Sequence, residues 1–283
     1  MSIHYVSARL ENLEIFNEDE VAELTRHAQA HPLEKLLATP RWKEESAIDF
    51  TYTSAQIEGN TYSRADTITL LKTGQTAPHG KMWSEAQMIL NLRKAYDMVV
   101  ARASHLVATP LEGARTLHTT LMRGLLEDDE LGATRRTRNA RIGGSSYVPP
   151  DGAPFLDQEA AKIFKQATRV TDPFSASLYV ACNLSYLQLF EDGNKRTSRV
   201  MQNAMLMASG LPPVLFPVTM TGEYVEAQLG YYETGDYLLH RAFVLEAYRA
   251  AYPLAPPVPS AAASLADRLT KDVTSKKPGT FKP

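Results

Sequence analysis

Two helical segments meet at a sharp break between residues 190 and 194 of this 283-residue chain. A capping acid and a proline suited to the first helical turn, Asp172-Pro173, open the first segment, which is expected to run to Phe190. The second is expected to run from near Asn194 to Gly210. Most other stretches also have helical spacing, so the sequence predicts an all-α bundle.

The rest of the chain divides into further helices, one irregular insertion and a tail. Residues 132–154 are rich in Gly, Pro, Ser and Arg and predict a loop with a short β-hairpin around Gly143-Gly144. Residues 253–283 are rich in Pro, Ala and Ser and predict a disordered tail. Helices are expected at about 17–30, 43–57, 63–74 and 82–104, from 110, from 157, from 219 or 221 to 232, and at 236–252.

Composition excludes several classes of protein. With 30 Lys+Arg against 32 Asp+Glu the net charge is −2, which gives no basic surface for nucleic acid. Cys182 is the only cysteine, so an intrachain disulfide is impossible and a cysteine-based zinc site is not expected. The most apolar stretch, residues 205–218, is broken by Gly and Pro and is too short to span a bilayer. No signal peptide is expected either, so the expected compartment is the cytoplasm.

The break itself has the residues of a phosphate site. A helix that begins at Asn194 has unpaired backbone N–H groups at its first turn, and Gly193 lets a ligand approach the backbone closely. Arg196 and Arg199 share one face of that helix, and Asp192 is placed to hold Mg²⁺ between phosphates. This pattern favours a nucleoside triphosphate site, and the alternative is an ordinary turn with surface ion pairs.

The segment resembles the signature of the Fic family, His-Pro-Phe-x-Asp/Glu-Gly-Asn-Gly-Arg-x-x-Arg. The matching residues are Phe190, Asp192, Gly193, Asn194, Arg196 and Arg199. The resemblance implies a Fic-type helical bundle that binds ATP and Mg²⁺ and transfers AMP to a hydroxyl of a protein target.

The resemblance also assigns roles to single residues. Asp192 would hold Mg²⁺, and the anion hole would be formed by Gly193, Asn194 and the following amide, that of Lys195. Arg196 and Arg199 would bind the β- and γ-phosphates, and Phe190 would be a buried anchor.

A second stretch, Ser54-Ala-Gln-Ile-Glu-Gly59, resembles the family's inhibitory motif, Ser/Thr-x-x-x-Glu-Gly/Asn. It ends a predicted helix of about residues 43–58. The resemblance implies that Glu58 pairs with Arg199 and blocks the γ-phosphate position, because an arginine–carboxylate pair is a strong contact. The alternative is that Glu58 is an exposed residue of the last helical turn.

Residues 138–149 resemble the Fic flap, which aligns an extended target chain through main-chain hydrogen bonds. Arg141, Ile142, Gly143 and Gly144 are the expected target-binding positions, and the alternative is a mobile surface loop. The arginines before and within this stretch are expected to be solvated, namely Arg135, Arg136, Arg138 and Arg141.

The chain departs from the family at the catalytic position, where Gln188 replaces the histidine that acts as general base. Glutamine cannot take up a proton, although its carbonyl oxygen could orient a hydroxyl. Lys195 replaces the third-position glycine, as in the Doc branch, which transfers a phosphoryl group; Leu189 replaces proline. The candidates for another base are Glu191, His118 and His240, each with an ordinary structural interpretation.

Three hypotheses follow. The first is an adenylyltransferase, or a related Doc-like phosphotransferase, inhibited by Glu58 and weakened by Gln188. The second is a nucleotide-binding regulatory pseudoenzyme, and the third is a helical interaction module with a vestigial pocket. The expected partners are a nucleotide and a protein target, with no membrane and no nucleic acid, and a homodimer is left as an open alternative. The expected regions are 1–110, 111–210 as the Fic core with its signature at 188–199, 211–252 and 253–283.

Overall fold

A computed structural model describes residues 2–76, 81–137 and 140–254 of the chain, and these residues are mostly helical. The helices are α1 (Glu18–Ala30), α2 (Leu33–Leu37), α3 (Pro40–Ile57), α4 (Arg64–Thr73), α5 (Trp83–Ala108), α6 (Pro110–Met122), α7 (Ala153–Ala167), α8 (Pro173–Leu187), α9 (Asn194–Ala208), α10 (Thr221–Thr234) and α11 (Leu238–Ala251). Short 3₁₀ turns lie at Ser7–Glu11 and Val218–Met220.

Local signals explain where several helices begin and end. Asn17 caps α1 through the backbone N–H of Glu20, and the Glu20 side chain accepts from the Asn17 N–H in return. Pro40 takes the first position of α3, three residues before the predicted start, because proline needs no N–H partner there. Gly59, with φ of 81°, follows the end of α3 as predicted.

Helix α8 forms the centre of the bundle. All of its residues from Phe174 to Leu187 are buried, so it has no solvent-facing side. It packs against α9, which packs in turn against α5, and α5 packs against α6. The α8–α9 junction is therefore held from several sides, and its geometry depends on much of the core.

The end of α8 differs from the prediction. The helix was expected to reach Phe190 but ends at Leu187. Gln188 adopts φ 53° and ψ 56°, which ends the α-helix, and it is the only non-glycine residue with positive φ in the described part of the chain. This left-handed turn starts the α8–α9 loop (residues 188–193).

The predicted hairpin around Gly143-Gly144 takes a different form. A turn is present, because the Ser145 N–H donates to the Ile142 carbonyl over 3.3 Å. The following strand, β2 (Tyr147–Val148), pairs in parallel with a distant strand, β1 (Ile3–His4), and not across the turn. Tyr147 is buried against the ring of Tyr186, with 4.5 Å between ring centroids, and this packing holds β2 against the bundle.

The described residues up to Pro253 form one compact unit, which includes the segments expected as an N-terminal region, a core and C-terminal helices. The predicted tail lies outside the described residues except for Pro253 and Leu254. None of the helices within the described ranges is both long enough and apolar enough to cross a membrane.

Candidate active site

The α8–α9 loop is fixed by the side chain of Asn194. The Asn194 Oδ1 accepts from the Phe190 N–H and its Nδ2 donates to the Phe190 carbonyl, both over 2.8 Å. Phe190 itself is 1% exposed, so the expected buried anchor is confirmed. Asn194 therefore closes the loop into a ring in addition to starting α9.

Gly193 is required by both backbone angle and space. Its φ is 73°, and a Cβ at this position would lie 2.5 Å from Met122 Sδ. The first intrahelical bond of α9 runs from the Thr197 N–H to the Gly193 carbonyl over 2.8 Å. The amides of Asn194, Lys195 and Arg196 therefore have no partner within the helix, as in other anion-binding helix starts.

His118 supports this loop from α6. Its Nδ1 accepts from the Gly132 N–H over 2.8 Å, so Nε2 bears the proton and donates to the Asp192 carbonyl over 3.0 Å. The ring stacks on Phe190 with 3.9 Å between centroids. Burial lowers the pKa of His118 to about 4, and a neutral ring is what these two bonds need.

The two arginines that are predicted to bind the phosphates are buried beneath the loop. The side chains of Arg196 and Arg199 are 3% and 4% exposed. Arg196 Nη2 donates to Asp192 Oδ2 over 2.8 Å. Among the described residues, Arg196 Nε and Nη1 and Arg199 Nε have no hydrogen-bond partner. Buried guanidinium N–H groups without partners are rare, and an anionic ligand would satisfy them.

Glu58 lies against both arginines. Its Oε1 accepts from Arg199 Nη2 over 2.8 Å, and its Oε2 lies 3.7 Å from Arg196 Nε. Burial alone would raise the pKa of Glu58, but the positive charges of Arg199, Arg196 and Lys195 hold it below the usual value. The Glu58 side chain is 11% exposed, so the interpretation as an exposed last-turn residue is wrong.

Two neighbours complete the surroundings of Arg199. The carbonyl of Ser54, one turn before Glu58, accepts from Arg199 Nη2 over 3.4 Å. Tyr224 of α10 places its ring 5.2 Å from the guanidinium carbon and its hydroxyl 3.4 Å from Nη1. Burial would lower the pKa of Arg199, but Tyr224 and Glu58 raise it above the ordinary value, so Arg199 is fully charged.

Gln188 presents an acceptor to the site. Its Nε2 donates to the Ser185 carbonyl over 2.6 Å and lies 3.4 Å from the Tyr232 hydroxyl. A carbonyl can only accept, so the amide nitrogen must face Ser185. The Gln188 Oε1 has no donor among the described residues, and the residue lines the cavity described next.

A cavity of about 310 Å³ separates the α8–α9 loop from the flap. Three of the expected target-binding positions line it, Arg141, Ile142 and Gly143. On the other side it is bounded by Glu58, Gln188, Asp192, Asn194 and Lys195. Gly144 lies outside the lining and packs towards Leu229 of α10. The structure therefore brings these eight predicted positions to one cavity, whereas Ser54, Gly193, Arg196 and Arg199 do not line it.

Arg135 was expected to be solvated, and this expectation is wrong. It is 4% exposed, and its guanidinium group donates to main-chain carbonyls at the flap ends and at Gln188. Arg136 does lie on the surface, where it pairs with Asp129, and Arg141 is exposed at the cavity. Arg138 lies outside the described residues.

The other candidate bases lie in different surroundings. His240 is buried under α10, its pKa is lowered to about 4 by burial, and it does not line the cavity. Glu191 lines the cavity, and its carboxylate accepts from the Thr137 N–H over 3.4 Å.

Two residues of the site were not marked by the sequence, Tyr232 beside Gln188 and Tyr224 beside Arg199. Both are ordinary aromatic positions of α10 that carry no sequence signal.

The donor set suits Mg²⁺ shared with phosphates. The described residues contain no group of three or more His, Cys, Asp or Glu side chains that could hold a metal by themselves. The Asp192 side chain is 63% exposed, and the residue lines the cavity beside the free amides of α9. One carboxylate together with phosphate oxygens is a common environment of Mg²⁺, so these residues fit that ion.

Comparison with known proteins gives the class of this site. The model of the Fic/DOC family matches residues 108–206. The Protein adenylyltransferase Fic of Drosophila grimshawi is 30% identical over 190 residues, which are 66% of this chain and 38% of that protein. Its namesake from Drosophila melanogaster is 29% identical over 190 residues, again 66% and 38%.

Solved structures show the same fold. A Fic family protein from Desulfovibrio desulfuricans G20 has a TM-score of 0.65 and 20% identity, with 96% of this chain and 77% of that chain covered. Fic-1 from C. elegans has a TM-score of 0.62 and 22% identity, with 86% and 69% covered.

Residues 108–206 therefore match the Fic/DOC family, and the helical fold of the chain is shared with solved Fic proteins. It spans less than two fifths, 36–38%, of the length of the curated relatives that it matches.

Proposed function

We propose that this chain is a Fic-type protein adenylyltransferase, which binds Mg-ATP and transfers AMP to a protein hydroxyl, and that Glu58 inhibits it. The observation that carries the proposal is the pair of buried arginines with unpartnered N–H groups beneath Glu58. A buried cluster of this charge is costly unless an anion compensates it. The relatives named as adenylyltransferases support ATP as that anion.

Each residue has a definite part in the proposed reaction. The amides at the start of α9 and the guanidinium groups of Arg196 and Arg199 bind the triphosphate. Asp192 would hold Mg²⁺, which neutralises charge that develops on the phosphates. His118 and Asn194 keep the loop in the shape that aims those amides, through the bonds to Asp192 and Phe190.

Gln188 would orient the target hydroxyl without removing its proton. The hydroxyl oxygen would bond to the α-phosphorus, pyrophosphate would leave, and the proton would pass to solvent. Ser185 holds the amide nitrogen, so the carbonyl oxygen is left to accept from that hydroxyl. A glutamine has no pKa in the working range, and the loss of general-base catalysis typically costs about 10²–10⁴-fold in rate. The proposed enzyme is therefore slow, and binding and positioning supply its remaining catalysis.

Inhibition follows from occupation of Arg199. While Glu58 accepts from Arg199 Nη2, a γ-phosphate cannot use that donor, and two negative groups would meet in a buried site. Nucleotide would then bind weakly or in a non-productive pose. Removal of the Glu58 carboxylate frees both arginines for the triphosphate.

Labelled ATP tests the proposal. Purified wild type, Glu58→Gly, Gln188→His and the double variant are incubated with Mg²⁺, ATP labelled at the α-phosphate and a lysate. We expect slow labelling by Glu58→Gly and faster labelling by the double variant. Glu85→Gly is the matched control. The Glu85 carboxylate accepts from the Thr61 N–H, close to Glu58 in the α3–α4 connection, but it does not contact Arg196 or Arg199. No label in any variant would contradict transferase activity.

A second candidate function is a nucleotide-binding regulatory pseudoenzyme. The observation that favours it is the fixed amide of Gln188, which cannot act as a base. In that case Glu58→Gly binds Mg-ATP but transfers nothing, and label requires both changes. Lys195, the residue shared with the Doc branch, lines the cavity, so a Doc-like phosphotransferase is a further alternative. The same variants test it. It would transfer label from ATP labelled at the γ-phosphate and not at the α-phosphate.

A further inference from the structure

A buried guanidinium, that of Arg135, joins the flap to the rest of the site. Its side chain is 2% exposed, and each nitrogen of its planar guanidinium group donates to groups from three parts of the chain. Such a residue differs from the solvated arginines next to it in the sequence, and its contacts show what it holds together.

The first two contacts join the ends of the flap. Arg135 Nη1 donates to the Thr137 carbonyl over 2.6 Å, where the flap begins. The same atom lies 2.9 Å from Asp151 Oδ1, and Nη2 donates to the Pro150 carbonyl, where the flap ends. Closure of a flexible loop costs entropy, and these bonds hold both ends at one place.

The third contact joins that place to the transfer site. Arg135 Nε donates to the Gln188 carbonyl over 2.7 Å, and the Arg135 N–H donates to the Leu189 carbonyl over 2.9 Å. These carbonyls belong to the left-handed turn that begins the α8–α9 loop. One side chain thus fixes the flap ends and the Gln188 backbone in the same frame.

We propose that Arg135 is a positioning residue, which sets the flap, and with it the target hydroxyl, at its working distance from Gln188. The proposal rests on the proposed function, because it assumes that the flap holds a target. Arg135 lines the cavity, but its nitrogens already donate to the carbonyls and to Asp151, so they are not available to a phosphate. It therefore affects the placement of the target and leaves nucleotide binding alone.

The fold can tolerate the loss of these bonds. Strand β2 is held separately, by its pairing with β1 and by the Tyr147 hydroxyl, which donates to the Tyr186 carbonyl over 2.6 Å. The base of the flap should therefore stay attached when Arg135 is changed, while the part between its ends becomes free to move.

The test compares Arg135→Lys with Arg115→Lys. Arg115 precedes the flap, and its guanidinium also serves the chain at several points, Gly132, Thr134 and Asp157, without reaching Gln188. Lysine keeps the charge in both cases but loses the fork. The primary readouts are hydrogen exchange along the chain and Mg-ATP affinity by calorimetry. If Arg135→Lys does not fold, Asp151→Asn replaces it, because this change weakens only one of the contacts of Arg135.

We expect faster exchange in residues 140–148 with Arg135→Lys only, with exchange in α8 and α9 and Mg-ATP affinity unchanged. In the Glu58→Gly, Gln188→His background, the rate of self-labelling at saturating Mg-ATP should fall about 10–100-fold with an unchanged KM for ATP, since a misplaced reactant costs about that much. Equal flap exchange in the two variants would overturn the proposal. So would faster exchange throughout the chain, or a loss of ATP affinity parallel to the loss of rate.

The two proposals fail separately. If the Glu58→Gly, Gln188→His background transfers no label, the transferase function fails, and the exchange comparison still decides the role of Arg135.

Discussion

The two sides of the cavity are built in different ways. The nucleotide side consists largely of one continuous segment, residues 188–199, in which a helix start supplies the amides and two arginines. The flap side is assembled from distant parts: β1, Arg135 and the aromatic cluster of Tyr147, Tyr186 and Tyr232. Chemistry that a short segment can carry is visible in the sequence, and chemistry that needs several segments becomes visible only in the fold.

The largest expected effect lies on the nucleotide side. Arg199→Ala leaves Glu58 buried with only the more distant Arg196, so the free energy of unfolding should fall by about 3–5 kcal/mol. Arg249→Ala, which breaks the half-exposed pair with Glu23, should cost at most about 1 kcal/mol. Urea denaturation of the two variants measures both. Similar costs would mean that the buried pair contributes no more than a surface pair.

Acid should weaken this side through His118. The folded protein keeps the ring neutral to about pH 4, whereas the unfolded ring takes up a proton near its ordinary pKa of 6.5. Stability is therefore fully present above that value and is lost as the pH falls, by up to about 3 kcal/mol from His118. His240, with a pKa also lowered to about 4, adds a similar loss.

Urea denaturation at several pH values between 7 and 4 measures this loss. In His118→Gln the dependence on pH should be shallower, though still present because of His240. His105→Gln, at an exposed position, is the control and should keep the wild-type dependence. An unchanged dependence on pH in His118→Gln would show that folding does not lower the pKa of this ring.

Gly193→Ala tests whether the loop tolerates a side chain. A non-glycine residue at φ 73° costs of order 1–3 kcal/mol, and the new Cβ must displace Met122. We expect weaker Mg-ATP binding together with that loss of stability. Gly222→Ala in α10, where an added Cβ meets nothing within 4 Å, serves as the control. Wild-type affinity in Gly193→Ala would show that the loop geometry is not needed for nucleotide.

The smallest expected effect lies on the flap side. Tyr147→Phe removes the hydroxyl that donates to the Tyr186 carbonyl and should lower the free energy of unfolding by about 1 kcal/mol. Mg-ATP affinity by calorimetry should not change, because the Tyr147 hydroxyl contacts neither the amides of α9 nor the two arginines. A parallel loss of ATP affinity would show that the two sides are coupled and would remove the distinction between them.

The sequence predicts more of one side than of the other for physical reasons. The start of α9 and the glycine break follow from local rules on helix ends, and the burial of Phe190 follows from the family resemblance. The structure confirms all three. The early end of α8, the partner of β2 and the burial of Arg135 could not be predicted. Each depends on contacts between residues that are far apart in the chain. Arg135 and Gln188, for example, are separated by 53 positions.

The central claim is that the start of α9 and its two arginines bind a triphosphate once Glu58 is removed. A crystal structure of Glu58→Gly with Mg²⁺ and a non-hydrolysable ATP analogue tests it most directly. The account predicts phosphates at the amides of residues 194–196, with Arg196 and Arg199 donating to them. An analogue bound elsewhere, or a loop left empty at saturating analogue, would contradict it.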